Sequence, residues 1–495
     1  MPIMDEPTSL DPQIADSNSE KLVAANCYEG LVRIMADGTI GKGVATDWNI
    51  SDDGLTYTFK LRNNSHWAMF SGHKAVLGEN YEDTFDITVK AEDFKFGIER
   101  TLSEQTGSAD APLFAAVKSI STPDDFTIVF NLSYADDNFL YALTNPGAMP
   151  CDEEFFNLTN GKYGLDAKYL LCNGPFHVSK WTEKTSVKLA KNNEYNGESS
   201  VSPSSVTFYI NNDDSEVADK MNSVTYDVAF LSSSQFSSIE NKKDLNSVAV
   251  QNVTYSFIFN QNDNNYRNKN MRLAFCRSCD TSSLFDSQSD ISKADGIVPP
   301  SCKIGGEDYR NGNAAELLSY DETLAKKNFN DALLELGSSS VETTILCTEQ
   351  YEPFVKQMVQ KLQKTLGVKF VSTVKVVSES DLEAAVNDGN YSVAFYPFKA
   401  KSSFAGEIIE GFDQNNIFGY ESDVLSQKIR DIKNNSGSLE GERSAVADAE
   451  NYLVSEAVIM PVFYENSYFV TSKKTSGIYF YSSADNVCFI NAKKS

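Results

Sequence analysis

Two amphipathic stretches in the second half of the chain place the tightest limit on its fold. Ala325, Phe329, Ala332 and Leu336 recur at helical spacing and stop at Gly337; Phe354, Met358, Leu362 and Leu366 do the same and stop at Gly367. Apolar residues three or four apart share a helix face, and a glycine just past the last one is the usual C-terminal cap. Strand-like runs, "TTILC" and "VKFV", flank them. Strands alternating with helices predict an α/β chain with a mainly parallel sheet.

The first half carries a second block of mixed class. Leu55, Tyr57, Phe59 and Leu61 alternate in "LTYTFKL", and Phe126, Ile128, Phe130 and Leu132 alternate in "FTIVFNL". Period two places each set on one face of a strand. Between them, Phe94, Gly97, Ile98, Thr101 and Leu102 recur with helical period, with Glu92 and Asp93 in the first turn, where the helix dipole favours acids. The strand pattern "YDVAFL" at Tyr226 to Leu231 recurs as "YSVAFY" at Tyr391 to Tyr396. It reads either as a common strand pattern met twice or as two similar sheets, one per lobe. "NGESSVSPSS" and "NNSGSLEGE" read as surface loops.

At 495 residues the chain is long enough for about three domains. A net charge of −26 repels phosphate backbones and anionic lipid, which argues against nucleic-acid binding. No apolar run reaches the roughly 18 residues of a membrane helix. Of eight cysteines only Cys276 and Cys279, in "CRSC", have metal-like spacing, and no second pair or nearby histidine completes a zinc site. His66 and His73, in "SHWAMFSGH", read as surface or packing residues. There is no HExxH, GxSxG or Walker-type loop, and no carboxylate pair is singled out by spacing. No catalytic residue, metal or cofactor is therefore assigned. The abundant Tyr and Phe are mostly core, with a share suited to a cleft of polar-tipped rings.

The opening "MDEPTSLDPQIADSNSEKLVAANCYEGL", with Met1-Pro2 directly before it, reads as a start trimmed of its leader. "EPTSLDP", "YEGLV", "YTFKLRNNSHW" with "VKAEDFKFGIER", "CNGPFHVSKW", "NMRLAFCRSCD", "GVKFV", "YSVAFYPF" and "IMPVFYENSYFV" occur in that order over nearly the whole chain. This ordered series resembles the extracellular solute-binding proteins of family 5, which serve peptide, oligopeptide and nickel ABC transporters. The chain departs from the family where "AMFSGHKAVLGENYEDTFDI" replaces a short turn.

The resemblance implies a two-lobed periplasmic-binding-protein-like α/β fold, type II and of the three-domain oligopeptide-binding kind, with a two-strand hinge near Val253 to Phe257 and Asn466 to Val470. Domain I would comprise 1–43, 172–254 and 468–495, domain II the insertion 44–171, and domain III 255–467. It implies a monomeric, non-enzymatic receptor that captures a peptide or related small solute by hinge closure and presents it to membrane permease subunits. The expected location is extracytoplasmic, with a lipid anchor on the outer face of the cell membrane. An oligosaccharide or other non-peptide ligand, a sensing role without import, and a secreted hydrolase are the alternatives. The implied ligand contacts are Tyr28, Glu29, Ser232, Ser233, Tyr255, Phe398, Lys401 and Tyr464. A secreted location permits disulfides, with Cys151–Cys172 the first candidate and Cys276–Cys302 the second.

In peptide binders of this family an Asp after the second-lobe strand pairs with the ligand's α-amino group. Alignment of "YSVAFYPFKAKSS" on that segment puts Lys401 there, with Lys399 two residues before it. A lysine repels an ammonium and favours a carboxylate, carbonyl or hydroxyl, which leaves Glu29 as the acid for a cationic group. Lys401→Asp is expected to change ligand preference, and Lys401→Ala to weaken binding of an anionic ligand, in calorimetric titrations. Wild-type binding by both variants would make Lys401 a solvated surface residue.

Overall fold

Glu20 organises the start of the chain. Helix α1 (Asn18–Cys27) is capped by Ser17, whose Oγ accepts from the Glu20 amide at 3.2 Å while the Glu20 carboxylate accepts from the Ser17 amide at 3.2 Å. The same carboxylate accepts from the Thr8 amide at 2.7 Å and the Thr8 hydroxyl at 2.8 Å. The polar opening segment is thereby wound onto the helix start.

The computed structural model describes residues 1–35, 39–80, 84–197, 200–211, 213–281, 285, 291–399, 404–413, 416–435, 438–481 and 486–495. The chain divides into two units. Unit 1 is Met1–Ala249 with Tyr468–Ser495, and unit 2 is Val250–Ser467.

In unit 1, β1 (Ala45–Ile50), β2 (Thr56–Leu61), α2 (Ala91–Leu102), β3 (Val117–Asp124) and β4 (Thr127–Leu132) form the expected strand–helix–strand block. The strands make an antiparallel sheet in the order β1-β2-β4-β3, with Tyr57 opposite Phe130 and Phe59 opposite Ile128. The alternating aromatics thus meet across the ladder, where such pairs stabilise a sheet. Phe94, Gly97, Ile98 and Thr101 of α2 are buried as expected, whereas Leu102 is exposed at the helix end. Gly97 has no room for a side chain: a Cβ would stand 2.3 Å from the Met149 carbonyl oxygen.

Three further strands, β5 (Phe176–Thr182), β6 (Ser186–Lys191) and β7 (Ser205–Ile210), form a second antiparallel set, with Pro2–Ile3 added parallel to β7. Strand β8 (Val228–Ser232) leads into the short helix α3 (Ser233–Ser238). His73 is fully buried among Phe70, Phe155 and His177, its Nε2 3.1 Å from the Leu170 carbonyl oxygen. Burial lowers its pKa to about 4, so it packs as a neutral ring.

The chain leaves unit 1 within β9 (Leu245–Phe259). Unit 2 then builds α4 (Lys269–Ser278), α5 (Glu322–Leu336), β10 (Val341–Cys347), α6 (Glu352–Leu366), β11 (Phe370–Val376), α7 (Glu379–Asn387), β12 (Val393–Lys399), α8 (Ala405–Glu410), α9 (Asp423–Asn434) and α10 (Leu439–Ser455). It returns within β13 (Ile459–Ser472). Strands β11, β10 and β12 are parallel, but β12 pairs antiparallel with β9. The sheet is therefore mixed rather than mainly parallel. Alternate residues face two cores: Phe257, Phe259, Ile345 and Phe395 pack with α4, α5 and α6, while Ile258, Leu346 and Ala394 pack with α8, α9 and α10. Gly337 and Gly367 end α5 and α6 as expected, with φ of +64° and +78°. "NNSGSLEGE" is not all loop. Ser438 caps the Gly441 amide at 3.1 Å and α10 begins inside it.

The structure departs from the expected disulfides in where it places the sulfurs, and neither Cys151–Cys172 nor Cys276–Cys302 is bonded. Cys172 lies against Cys27 rather than Cys151, and the Cys151 sulfur accepts from Arg100 at 3.5 Å. Cys276 and Cys302 belong to different cores.

Asp93 closes the start of α2 by accepting from the Lys90 amide at 2.7 Å. Its burial raises its pKa to about 8, with Asp152 adding to the effect and the Lys90 amide opposing it. The unfolded chain releases this proton near pH 4, so folding retains a proton and stability falls as pH rises from about 4 to about 8. Asp93→Asn keeps an acceptor and removes the titration. The variant is expected to match the wild type near pH 4 and to exceed its stability at pH 8, the gap growing by at most about 1.4 kcal/mol per pH unit. Urea unfolding of both proteins across this range checks it; a gap independent of pH would refute it.

Candidate functional site

Burial along β12 falls from Val393, Ala394 and Phe395, all buried, through half-buried Tyr396 and Pro397 to exposed Lys399. Pro397 stands opposite Tyr255 of β9. Proline has no amide to donate to the ladder. A pocket of about 280 Å³ opens at this pair, lined by Tyr255, Thr348, Glu379, Glu383, Phe395 and Pro397 among others. Thr348 directly follows β10, and Glu379 begins α7 just beyond β11. The pocket thus lies toward the carboxyl ends of parallel strands, where ligands of α/β sheets bind.

The floor is aromatic. The Tyr255 ring centroid lies 4.4 Å from Tyr351, 5.1 Å from Phe463 and 5.5 Å from Phe395. The Tyr351 hydroxyl donates to Glu465 at 2.5 Å, and the Gln350 amide donates to the same oxygen at 3.3 Å. Burial and then Glu465 raise the pKa of Tyr255; burial, Tyr255 and Glu465 raise that of Tyr351. Both phenols therefore stay protonated and able to donate. One wall carries Glu379 and Glu383, one turn apart on the exposed face of α7, where the helix start favours acids. The pocket offers rings for apolar stacking and carboxylates for a cation or a donor.

Unit 1 holds the one acid expected from the sequence to meet a ligand, Glu29. Glu29 follows α1 and is buried; its carboxylate pairs with Arg62 and accepts from the Tyr195 hydroxyl at 3.1 Å. Its backbone amide donates to the Asn173 side-chain oxygen at 3.0 Å, and the Asn173 amide donates back to the Glu29 carbonyl at 2.9 Å. Arg62 also donates to the Gly43 carbonyl at 2.7 Å. The Glu29 charge is thus matched within the protein itself.

The remaining expected contacts fall in several places. Tyr28 is buried in the unit 1 core, its hydroxyl 3.3 Å from that of Tyr163. Ser232 caps α3 through the Gln235 amide at 3.2 Å, and Ser233 is buried beside it. Tyr464 is buried and holds the 295–298 segment, accepting from the Asp295 amide at 3.1 Å and lying 3.3 Å from the Gly296 carbonyl. Phe398 faces the α8–α10 core, stacked on Phe412 and Phe418. Lys401 lies outside the described residues. Tyr255 alone among the described candidates lines the pocket. Glu379, Glu383, Tyr351 and Glu465 were not singled out by sequence. The only signals were the four-residue spacing of Glu379 and Glu383 and the alternation of Phe463 and Glu465.

Two units between which the chain crosses twice, within β9 and within β13, and an aromatic and acidic pocket at strand ends of unit 2 make the architecture of a solute-binding protein. The chain belongs to the bacterial extracellular solute-binding proteins, family 5, whose middle-region model matches residues 39–418. Its relatives include the dipeptide-binding protein DppE of Bacillus subtilis, 24% identical over 496 residues, covering 96% of this chain and 88% of the relative. The dipeptide-binding protein of Pseudoalteromonas sp. SM9913, solved in complex with Met-Leu, has the same fold at a TM-score of 0.79 and 18% identity, covering 100% of this chain and 99% of that one. Listeria monocytogenes OppA bound to peptide matches at a TM-score of 0.76 and 20% identity, covering 100% and 98%. Among the described residues no helix is long and apolar enough to cross a membrane.

Removal of one member of a buried ion pair strands the other. Glu29→Ala is expected to destabilise unit 1 by about 3 kcal/mol in denaturant unfolding, and to leave ligand affinity within twofold in the folded protein. A selective loss of affinity at unchanged stability would return Glu29 to the ligand-binding set.

Proposed function

We propose that this protein is the extracytoplasmic substrate-binding component of an ABC importer, that it captures short peptides, and that it carries out no catalysis. The observation that carries the proposal is the pocket around Tyr255. It combines an apolar floor, which a peptide side chain would cover, with the Glu379–Glu383 wall, which suits an ammonium or guanidinium. Family membership and peptide-binding relatives support the same reading. In this reading unit 1 combines domain I with the inserted domain II at 44–171, unit 2 is domain III, and the mature protein is held at the cell surface by a lipid.

Native mass spectrometry followed by calorimetry with a set of di- to pentapeptides tests the proposal. A peptide is expected to bind stoichiometrically and to be recovered uncleaved; cleavage would make the chain a hydrolase, and oligosaccharide binding without peptide binding would overturn the ligand class. Tyr255→Ala is expected to weaken peptide binding about tenfold or more, a loss of about 1.4 kcal/mol or greater. Glu379→Gln with Glu383→Gln is expected to weaken peptides with a cationic end by a few-fold, most at low salt, because both carboxylates are exposed and screened. Wild-type affinities in both variants would remove the pocket from the ligand path.

A further inference from the structure

We propose that Cys27 and Cys172 form a disulfide in the exported protein, closing a loop around residues 28–171. Three observations carry this. First, the two segments run side by side: the Gly174 amide donates to the Cys27 carbonyl at 2.9 Å, and Asn173 is bonded to both backbone groups of Glu29. Second, the approach is so close that a Cβ on Gly174 would stand 2.7 Å from the Cys27 backbone, so the glycine preserves the contact. Third, the two thiols are neighbours in the unit 1 core, each on a residue 1% exposed. The pairing ties the end of α1 to the stretch by which the chain returns after 44–171, where β5 begins.

Membership of an extracellular family places the chain where disulfides persist. The oxidant is a disulfide, either that of a thiol–disulfide oxidoreductase or oxidised glutathione. One cysteine thiolate attacks an oxidant sulfur and displaces one thiol, forming a mixed disulfide. The second thiolate then attacks the protein sulfur of that bond and displaces the other thiol. Two electrons and two protons end on the oxidant. Burial and the neighbouring Cys172 hold the Cys27 thiol well above its usual range in the folded core, so the exchange belongs to folding, before the core closes. Once made, the bond is shielded from reductant.

The test uses the full chain exported to the periplasm of an expression host, alongside chain refolded from reduced, denatured protein with oxidised glutathione. Each is denatured without reductant, alkylated, digested and mapped by mass spectrometry. The expected result is a Cys27 peptide joined to a Cys172 peptide, lost on reduction. Cys172→Ser should leave Cys27 alkylated, whereas Cys151→Ser should keep the Cys27–Cys172 link. If the serine variants fail to fold, the wild-type map decides alone. A Cys151–Cys172 link, any other partner for either cysteine, or alkylation of both in both preparations overturns the proposal.

Discussion

Unit 2 depends on one constraint, that β9 and β12 are buried on both faces over the same few residues. Phe257, Ile258 and Phe259 on one strand and Val393, Ala394 and Phe395 on its neighbour are all 1% exposed or less. A sheet covered on both sides cannot alternate apolar with polar residues, so these runs read as continuous apolar stretches. Two separate helical layers must then cover it, and they do so with the opposite rows of side chains. The arrangement ends at Pro397, which has no amide to donate to the ladder. There Tyr255, Tyr396 and Pro397 become half-exposed, and the pocket begins. The site is therefore a by-product of where double burial stops.

The same physics explains what could be read from the sequence. Helices α5 and α6, their glycine ends and the aromatic strands β2 and β4 were legible because each signal is local: spacing of 3.6 or 2, then a residue that tolerates positive φ. The mixed sheet was less legible. Whether β12 meets a parallel or an antiparallel neighbour is decided by β9, more than 130 residues earlier, and nothing in either strand records the partner. The extent of α10 was hidden for another reason, since its first turn, "LEGE", is polar and holds a glycine. A serine cap and the later apolar residues outweigh that local preference.

Of the ligand contacts implied by the family resemblance, Tyr255 alone among the described ones lines the pocket. Tyr28 and Tyr464 look identical to it in sequence terms, yet one hydroxyl meets Tyr163 and the other a backbone loop, and both rings are buried. An aromatic with a polar tip satisfies a core and a binding pocket equally well. Which of the two it does depends on whether its ring is sealed in the core, as in Tyr28 and Tyr464, or left half-exposed, as in Tyr255.

Charge follows the same rule. Three acids are deeply buried against arginines: Asp11 with Arg100, Glu29 with Arg62, and Glu450 with Arg310. Each carboxylate also accepts from hydroxyl or backbone donors, as Glu450 does from the Ile297 and Val298 amides and the Tyr309 hydroxyl. Such pairs are held by the requirement that no buried charge be left alone, and they are neutral as units. Each pair removes one charge of either sign, so the net charge of −26 is carried entirely by the other ionisable groups. That field is felt by an approaching cation or zwitterion, and the acids of α7 stand exposed in it while Glu29 is buried against Arg62. A carboxylate matched within the fold shapes the scaffold; one left in water beside an aromatic floor is free to take a ligand.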